Sequence, residues 1–212
     1  MAKPLVLASG SPRRRALLQA LGLTFEVCPA QVEETLEGQT AAPAVLAERL
    51  AYRKASQVAA LYPTAVVLGA DTIVVLEGTI FGKPQDAAAA RTMLRRLAGK
   101  THTVITGFAL IAADAGQEVV GHEATLVRLR ELDDDLIAAY VATGEPLDKA
   151  GAYAIQGLGA VLVERIEGCF YNVVGLPVPR VVQELERFGL HLPAVWRDLD
   201  RRVAREVQPG CG

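Results

Sequence analysis

An acid inside an apolar run, two arginines at a helix start and two lysines in unusual places are the residues with chemical potential here. Asp71 lies within Val66-Val67-Leu68-Gly69-Ala70-Asp71-Thr72-Ile73-Val74-Val75. A carboxylate in a buried strand is costly to desolvate unless a cation, metal or donor accompanies it. Strand alternation puts Asp71 on one face with Val67, Gly69, Ile73 and Val75, and Gly69 is expected to leave space beside it. Such an acid can orient or deprotonate water; the alternative is a structural Asp bonded to nearby backbone. Ser9-Gly10-Ser11-Pro12-Arg13-Arg14 reads as a strand-to-helix junction. The first turn of a helix offers unpaired N–H groups to an anion, and guanidinium groups add bidentate contacts to phosphate. Without an anion, the same residues make a capped surface helix with solvated arginines.

Lys54 falls in a stripe with Leu46, Leu50 and Val58 at i+4 spacing, widened by Ala47, Ala51 and Leu61. That is the middle of an apolar helix face, so Lys54 must either snorkel to water or meet an anion. Gly82-Lys83-Pro84 alone is a surface turn, but it follows the Asp71 strand directly. Glu33 and Glu34 sit in a polar loop and read as solvated charge unless a metal is nearby. A nucleoside triphosphate with its divalent cation would unite these parts. Arg13, Arg14, Lys54 and Lys83 supply cations for phosphate, Glu33/Glu34 supply hard oxygens for the metal, and Asp71 supplies the acid for water.

Other chemistries are poorly served. The sequence holds no G-x-x-x-x-G-K-[ST], completed G-x-G-x-x-G, zincin helix or G-x-S-x-G elbow. The three histidines (His102, His122, His191) are scattered. With 22 basic against 24 acidic residues the net charge is −2, which argues against stable nucleic-acid binding. No apolar run reaches the length of a membrane helix, and the apolar stretch after Pro4 is too short for a secretory signal. Cys28, Cys169 and Cys211 lack metal-site spacing and cannot all pair, so a reducing, cytoplasmic setting is expected. Only five of the 22 basic residues are lysine (Lys3, Lys54, Lys83, Lys100, Lys149), so each lysine hints at a place for a compact, rotatable charge.

The elements that must position these groups alternate. Short strands are expected at Leu5–Ala8 and Phe25–Cys28, and a strand with a Glu77-Gly78 turn after Ala65–Leu76. Two more, His102–Ala112 and Glu118–Arg130, flank Asp114-Ala115-Gly116. Helices are expected from Pro12 to about Leu21, over Ala44–Leu61, from the Asp86 cap to Leu97, from the Asp133 cap to Gly144, and over Val178–Phe188. Residues 148–174 are Gly-rich and lean toward β structure. The class is α/β with a mixed, mostly covered sheet.

Five segments carry a resemblance, in order, from about residue 4 to 188: Leu7-Ala8-Ser9-Gly10-Ser11-Pro12-Arg13-Arg14, Gly69-Ala70-Asp71-Thr72, Gly82-Lys83-Pro84, Asp148-Lys149-Ala150-Gly151-Ala152-Tyr153-Ala154-Ile155-Gln156-Gly157 and Tyr171-Asn172-Val173-Val174-Gly175-Leu176-Pro177. Together they resemble the Maf family of nucleotide pyrophosphatases. The resemblance implies an ITPase-like α/β fold, an elongated mixed sheet flanked by helices with a central cleft between two lobes, in a single domain over 1–212. It implies a cytoplasmic, Mg²⁺- or Mn²⁺-dependent enzyme that cuts nucleoside triphosphates between the α and β phosphates, and a homodimer. It assigns proton acceptance to Asp71, phosphate contacts to Ser9, Arg14, Lys54 and Lys83, and the metal to Glu34. Asp148-Lys149-Ala150-Gly151-Ala152-Tyr153 with Gln156 is similar to the dTTP/UTP branch, where Arg13, Thr72 and Gln156 are associated with substrate choice. A Gln amide offers donor and acceptor to the O4/N3 edge of uracil or thymine. The rival branch acts on 7-methyl-GTP and carries another motif there; a rival role in the family is a nucleotide-sensing regulator of septum formation. Phe81 and Cys169-Phe170 depart from the commoner family residues. The tail from Leu190 lies outside the resemblance and reads as a solvated helix docked by Trp196 and Leu199.

Overall fold

Strand register sets where the candidate residues meet. In the computed structural model, which describes residues 3–32 and 41–197, β1 (Leu5–Leu7) lies parallel to β2 (Phe25–Val27) and to β3 (Val66–Leu76), with Leu7 opposite Leu68. β4 (Thr79–Phe81) folds back on the end of β3 through Glu77 and Gly78. Both residues have positive φ, as a two-residue hairpin turn requires. β5 (Thr101–Ala112) runs antiparallel along β3, β6 (Gln117–Leu129) along β5, and β7 (Val163–Glu167) along the end of β6. The order β2-β1-β3-β5-β6-β7, with β4 beside β3, makes a seven-stranded mixed sheet among the described residues.

Helices cover the sheet: α1 (Pro12–Ala20), α2 (Pro43–Ala59), α3 (Ala87–Leu97), α4 (Asp134–Ala142), α5 (Phe170–Val174) and α6 (Val178–Arg187). Asp86 and Asp133 cap α3 and α4 as expected, each accepting a backbone N–H at 2.7 Å. Residues 192–197 are also helical, and Trp196 Nε1 donates to Leu21 O at 2.9 Å, which ties this segment to the end of α1. Leu199 lies outside the described residues.

On one face, the long strand β3 is shared by two cores. Its first half packs Val66 and Leu68 with Leu5, Leu7, Leu18, Val181 and Leu185. Its second half packs Val74 and Leu76 with Leu94, Leu97, Ile137 and Tyr153. Asp71 falls between them along the strand but on the opposite face, the one that α2 covers. Because β1 runs parallel to β3 and Ala8 N donates to Leu68 O, the chain leaving β1 turns into α1 beside residues 70–72. Ligands favour such ends of parallel strands.

Gly69 corrects one expectation. It leaves no open space: a Cβ there would lie 2.3 Å from Ala51 O and 2.7 Å from Ala55 N. Gly107, paired with Asp71 across the sheet, likewise would place a Cβ 2.3 Å from Ala47 O. The two glycines seat the α2 backbone directly on the sheet, which brings Lys54 to Asp71.

A second correction concerns residues 148–174. Instead of extended β structure, 3₁₀ turns occupy Glu145–Asp148, Ala150–Ala152 and Gly157–Leu162, and only Val163–Glu167 is a strand. Gly151 (φ 71°), Ala152 (φ 59°) and Gly157 (φ 68°) have positive φ, which no strand accommodates. The β-branched and aromatic residues around them fill the second core and line the cleft, so tertiary packing overrides their strand preference.

Candidate active site

The lysine on the apolar stripe meets an anion. Lys54 Nζ donates to Asp71 Oδ1 at 2.5 Å, and the two residues are 6% and 7% exposed. Each charge compensates the other in a seam that would reject either alone.

The arginine pair divides its work. Arg14, 8% exposed, donates from Nε to Gly175 O at 2.7 Å, from Nη1 to Ser9 Oγ at 3.0 Å and from Nη2 to Thr72 Oγ1 at 3.1 Å. The planar fork therefore ties the end of β1, the middle of β3 and the turn after α5 together. Arg13 instead reaches across the cleft, with Nη1 3.3 Å from Asp148 Oδ2.

Behind Arg14 runs a buried polar chain that the motifs alone did not reveal. Thr106 Oγ1 donates its single proton to Asn172 O at 3.0 Å. Its 2.9 Å contact with Thr72 Oγ1 must then be an acceptance, so Thr72 donates to Thr106 and accepts from Arg14. Asn172, fully buried, accepts from Thr106 N and donates to Val104 O and Thr125 Oγ1. The Thr72 hydroxyl is thus committed to the protein, and Asn172, Thr106 and Thr125 join the set that fixes the site. Their partners lie 34 to 68 residues away in the chain, so local spacing carries no signal of them.

The opposite wall is more open. Lys83 and Gln156 are exposed, and Asp148 bridges Arg13 and Lys149, whose Nζ lies 2.6 Å from Asp148 Oδ1. Burial works against the charge of Asp148, but Lys149 and Arg13 outweigh it and hold its carboxyl below the ordinary range. Tyr153 forms part of this wall, and its hydroxyl lies 2.7 Å from His102 Nε2 in the second core. Burial pushes His102 down to about 4.

The two walls enclose one cavity of about 730 Å³, ample for a nucleotide. Ser9, Arg13, Arg14, Lys54, Asp71, Thr72, Lys83 and Gln156 all line it, so every sequence-derived candidate within the described residues converges there. Glu33 and Glu34 lie outside the described residues. Among the described residues no three His, Cys, Asp or Glu side chains cluster as a metal cage, and no helix is long and apolar enough to cross a membrane.

The sequence profile described as "Maf-like protein" matches residues 4–188. The chain belongs to the Maf family. The match takes in every described cavity residue named above and ends before the helical segment at 192–197. Similar Maf relatives include a protein of Moorella thermoacetica, 55% identical over 186 residues, covering 88% of this chain and 95% of the relative. One of Symbiobacterium thermophilum is 53% identical over 185 residues, covering 87% and 94%. One of Pelotomaculum thermopropionicum is 50% identical over 190 residues, covering 90% and 99%. All three are named dTTP/UTP pyrophosphatase.

Proposed function

We propose that this chain hydrolyses dTTP and UTP to the nucleoside monophosphate and pyrophosphate. The observation that carries the reading is the buried Lys54–Asp71 pair on the wall of a nucleotide-sized cavity whose mouth is lined by further cations. The names of relatives about half identical to the chain support the choice of dTTP and UTP.

Asp71 takes a proton from water as the water oxygen bonds to the α-phosphorus. The bond from that phosphorus to the α–β bridging oxygen breaks, and pyrophosphate leaves. An ammonium has three N–H donors, so Lys54 can hold the acid and a phosphate oxygen together, aligning attack with charge stabilisation. Ser9 and Lys83 contribute to phosphate binding, while Arg14 acts through its fixed fork between Ser9, Thr72 and Gly175. Gln156 and Arg13 contact the nucleoside side, and Thr72 shapes that side through the position of its hydroxyl rather than by offering it.

Asp71 and Asp148 give the cavity hard carboxylate oxygens without a full cage. That set fits a divalent cation that keeps waters and substrate phosphate oxygens in its shell. Glu34 is the residue we assign to it, leaving Asp71 to accept the proton. When bound, the cation neutralises phosphate charge and polarises the reacting phosphoryl group.

The test is a panel of nucleoside triphosphates incubated with purified protein and Mg²⁺ or Mn²⁺, followed by assay of monophosphate and pyrophosphate. Equimolar dTMP or UMP and pyrophosphate from dTTP or UTP is the expected result. Nucleotide binding without turnover, or release of orthophosphate, would overturn the reading.

A further inference from the structure

The 3₁₀ turn Gly157–Leu162 begins directly after Gln156, and Gln156 makes no side-chain hydrogen bond to cap it. A Ser, Thr, Asp or Asn at that position would turn its side chain back onto the second or third N–H of the helix, a role the longer Gln does not fill. Here those donors are met from elsewhere. Glu145 Oε2 accepts from Leu158 N at 3.1 Å, and Oε1 accepts from Gly159 N at 2.9 Å and from Tyr140 Oη at 2.9 Å. The loop wraps closely around the carboxylate. A Cβ on Gly157 would lie 2.7 Å from Glu145 Oε2, and φ at Gly157 is +68°.

The same residue reaches the other recognition group. Glu145 O accepts from Lys149 Nζ at 2.7 Å, Lys149 pairs with Asp148, and Asp148 pairs with Arg13. Glu145 itself does not line the cavity. Burial works against its charge, but the N–H groups of Gly159 and Leu158, the Tyr140 hydroxyl and Lys149 outweigh it and hold the carboxyl below the ordinary range.

We infer that Glu145 is a specificity-positioning residue: its carboxylate caps the turn directly after Gln156 and so holds the Gln156 amide where it reads the pyrimidine base. The inference rests on the proposed base-reading role of Gln156. A side chain held by its support is preorganised, and displacements near 1 Å are enough to degrade recognition.

Glu145→Gln preserves shape but turns an NH₂ toward one of the donors the carboxylate satisfies. The kcat/KM ratio of dTTP over dATP is expected to fall about tenfold, carried by KM for dTTP more than by kcat. Hydrogen exchange of the Leu158 and Gly159 amides should quicken while the β3 and β5 amides keep their protection. Glu145→Asp, which retains the charge but retracts it by one methylene, should fall between wild type and Glu145→Gln in both readouts. An unchanged dTTP/dATP ratio with quickened exchange would overturn the inference, since the clamp would then hold the loop without serving recognition. Unchanged exchange in both variants would overturn it as well. Gln156→Ala separates the two levels. If it abolishes discrimination while Glu145→Gln does not, only the positioning role falls. If Gln156→Ala itself leaves the ratio intact, the base-reading role falls and takes the positioning role with it.

Discussion

On the cleft wall built by β1, α1, α2 and β3, Ser9, Arg14, Lys54 and Asp71 are each at most 8% exposed and held by charged or forked hydrogen bonds. On the facing wall, Lys83 and Gln156 are exposed, the backbone proceeds through 3₁₀ turns, and the ion pair from Arg13 to Asp148 is open to solvent. The first wall is where charge must be precisely placed and shielded, since low local dielectric strengthens every electrostatic contact there. The second wall carries Gln156, assigned to the base, and Lys83, assigned to phosphate, as exposed side chains on supported turns. Burial thus sets apart the Lys54–Asp71 seam, where the proposed proton transfer takes place, from the exposed rim of the cleft.

Removing Lys54 should break the first wall hardest. Lys54→Met leaves Asp71 charged in an apolar seam and is expected to lower stability by about 3–5 kcal/mol, read as a urea midpoint at constant m-value. Replacing both partners, Lys54→Met with Asp71→Leu, should recover most of that loss though not activity. If the double variant is no more stable than the single, the buried charge is not what ties these residues together.

Acid should loosen the foundation of the second wall through His102. Burial lowers its pKa from 6.5 to about 4. As pH falls through 6.5 the unfolded chain takes up a proton that the folded chain refuses until about 4, so stability drops across that window. The melting temperature of wild type minus that of His102→Asn, followed from pH 7 to 4, is expected to decline. Parallel curves would remove His102 from the explanation.

Asp148→Asn should have the smallest effect. Asp148 is exposed where it meets Arg13 and Lys149, so the loss in stability is expected to be about 1 kcal/mol or less. A loss as large as that of Lys54→Met would erase the contrast between the walls.

What the sequence disclosed follows the same division. Asp71 and Lys54 stood out because each breaks an apolar period and a buried charge must find a partner; that the partner of each is the other, at 2.5 Å, emerges only from the fold. The caps Asp86 and Asp133, the hairpin at Glu77-Gly78 and the alternation of elements were equally local. Gly69 misled, because an absent side chain does not say whether ligand or backbone fills the gap, and here α2 fills it. Residues 148–162 misled because Val, Ile and Tyr favour strands, while the positive φ of Gly151 and Ala152 goes with packing against the second core and that of Gly157 with wrapping the Glu145 carboxylate. The Thr72–Thr106–Asn172–Thr125 chain depends on contacts between distant segments, and the Glu145 clamp on a turn geometry, neither of which local spacing encodes.

The most direct measurement is the turnover of dTTP by Asp71→Asn at saturating substrate. Asparagine keeps the shape and an oxygen for Lys54 but cannot take the proton, so kcat should fall by about 10²–10⁴ while dTTP still raises the melting temperature. Wild-type turnover by that variant would contradict the assignment of Asp71 as the group that activates water.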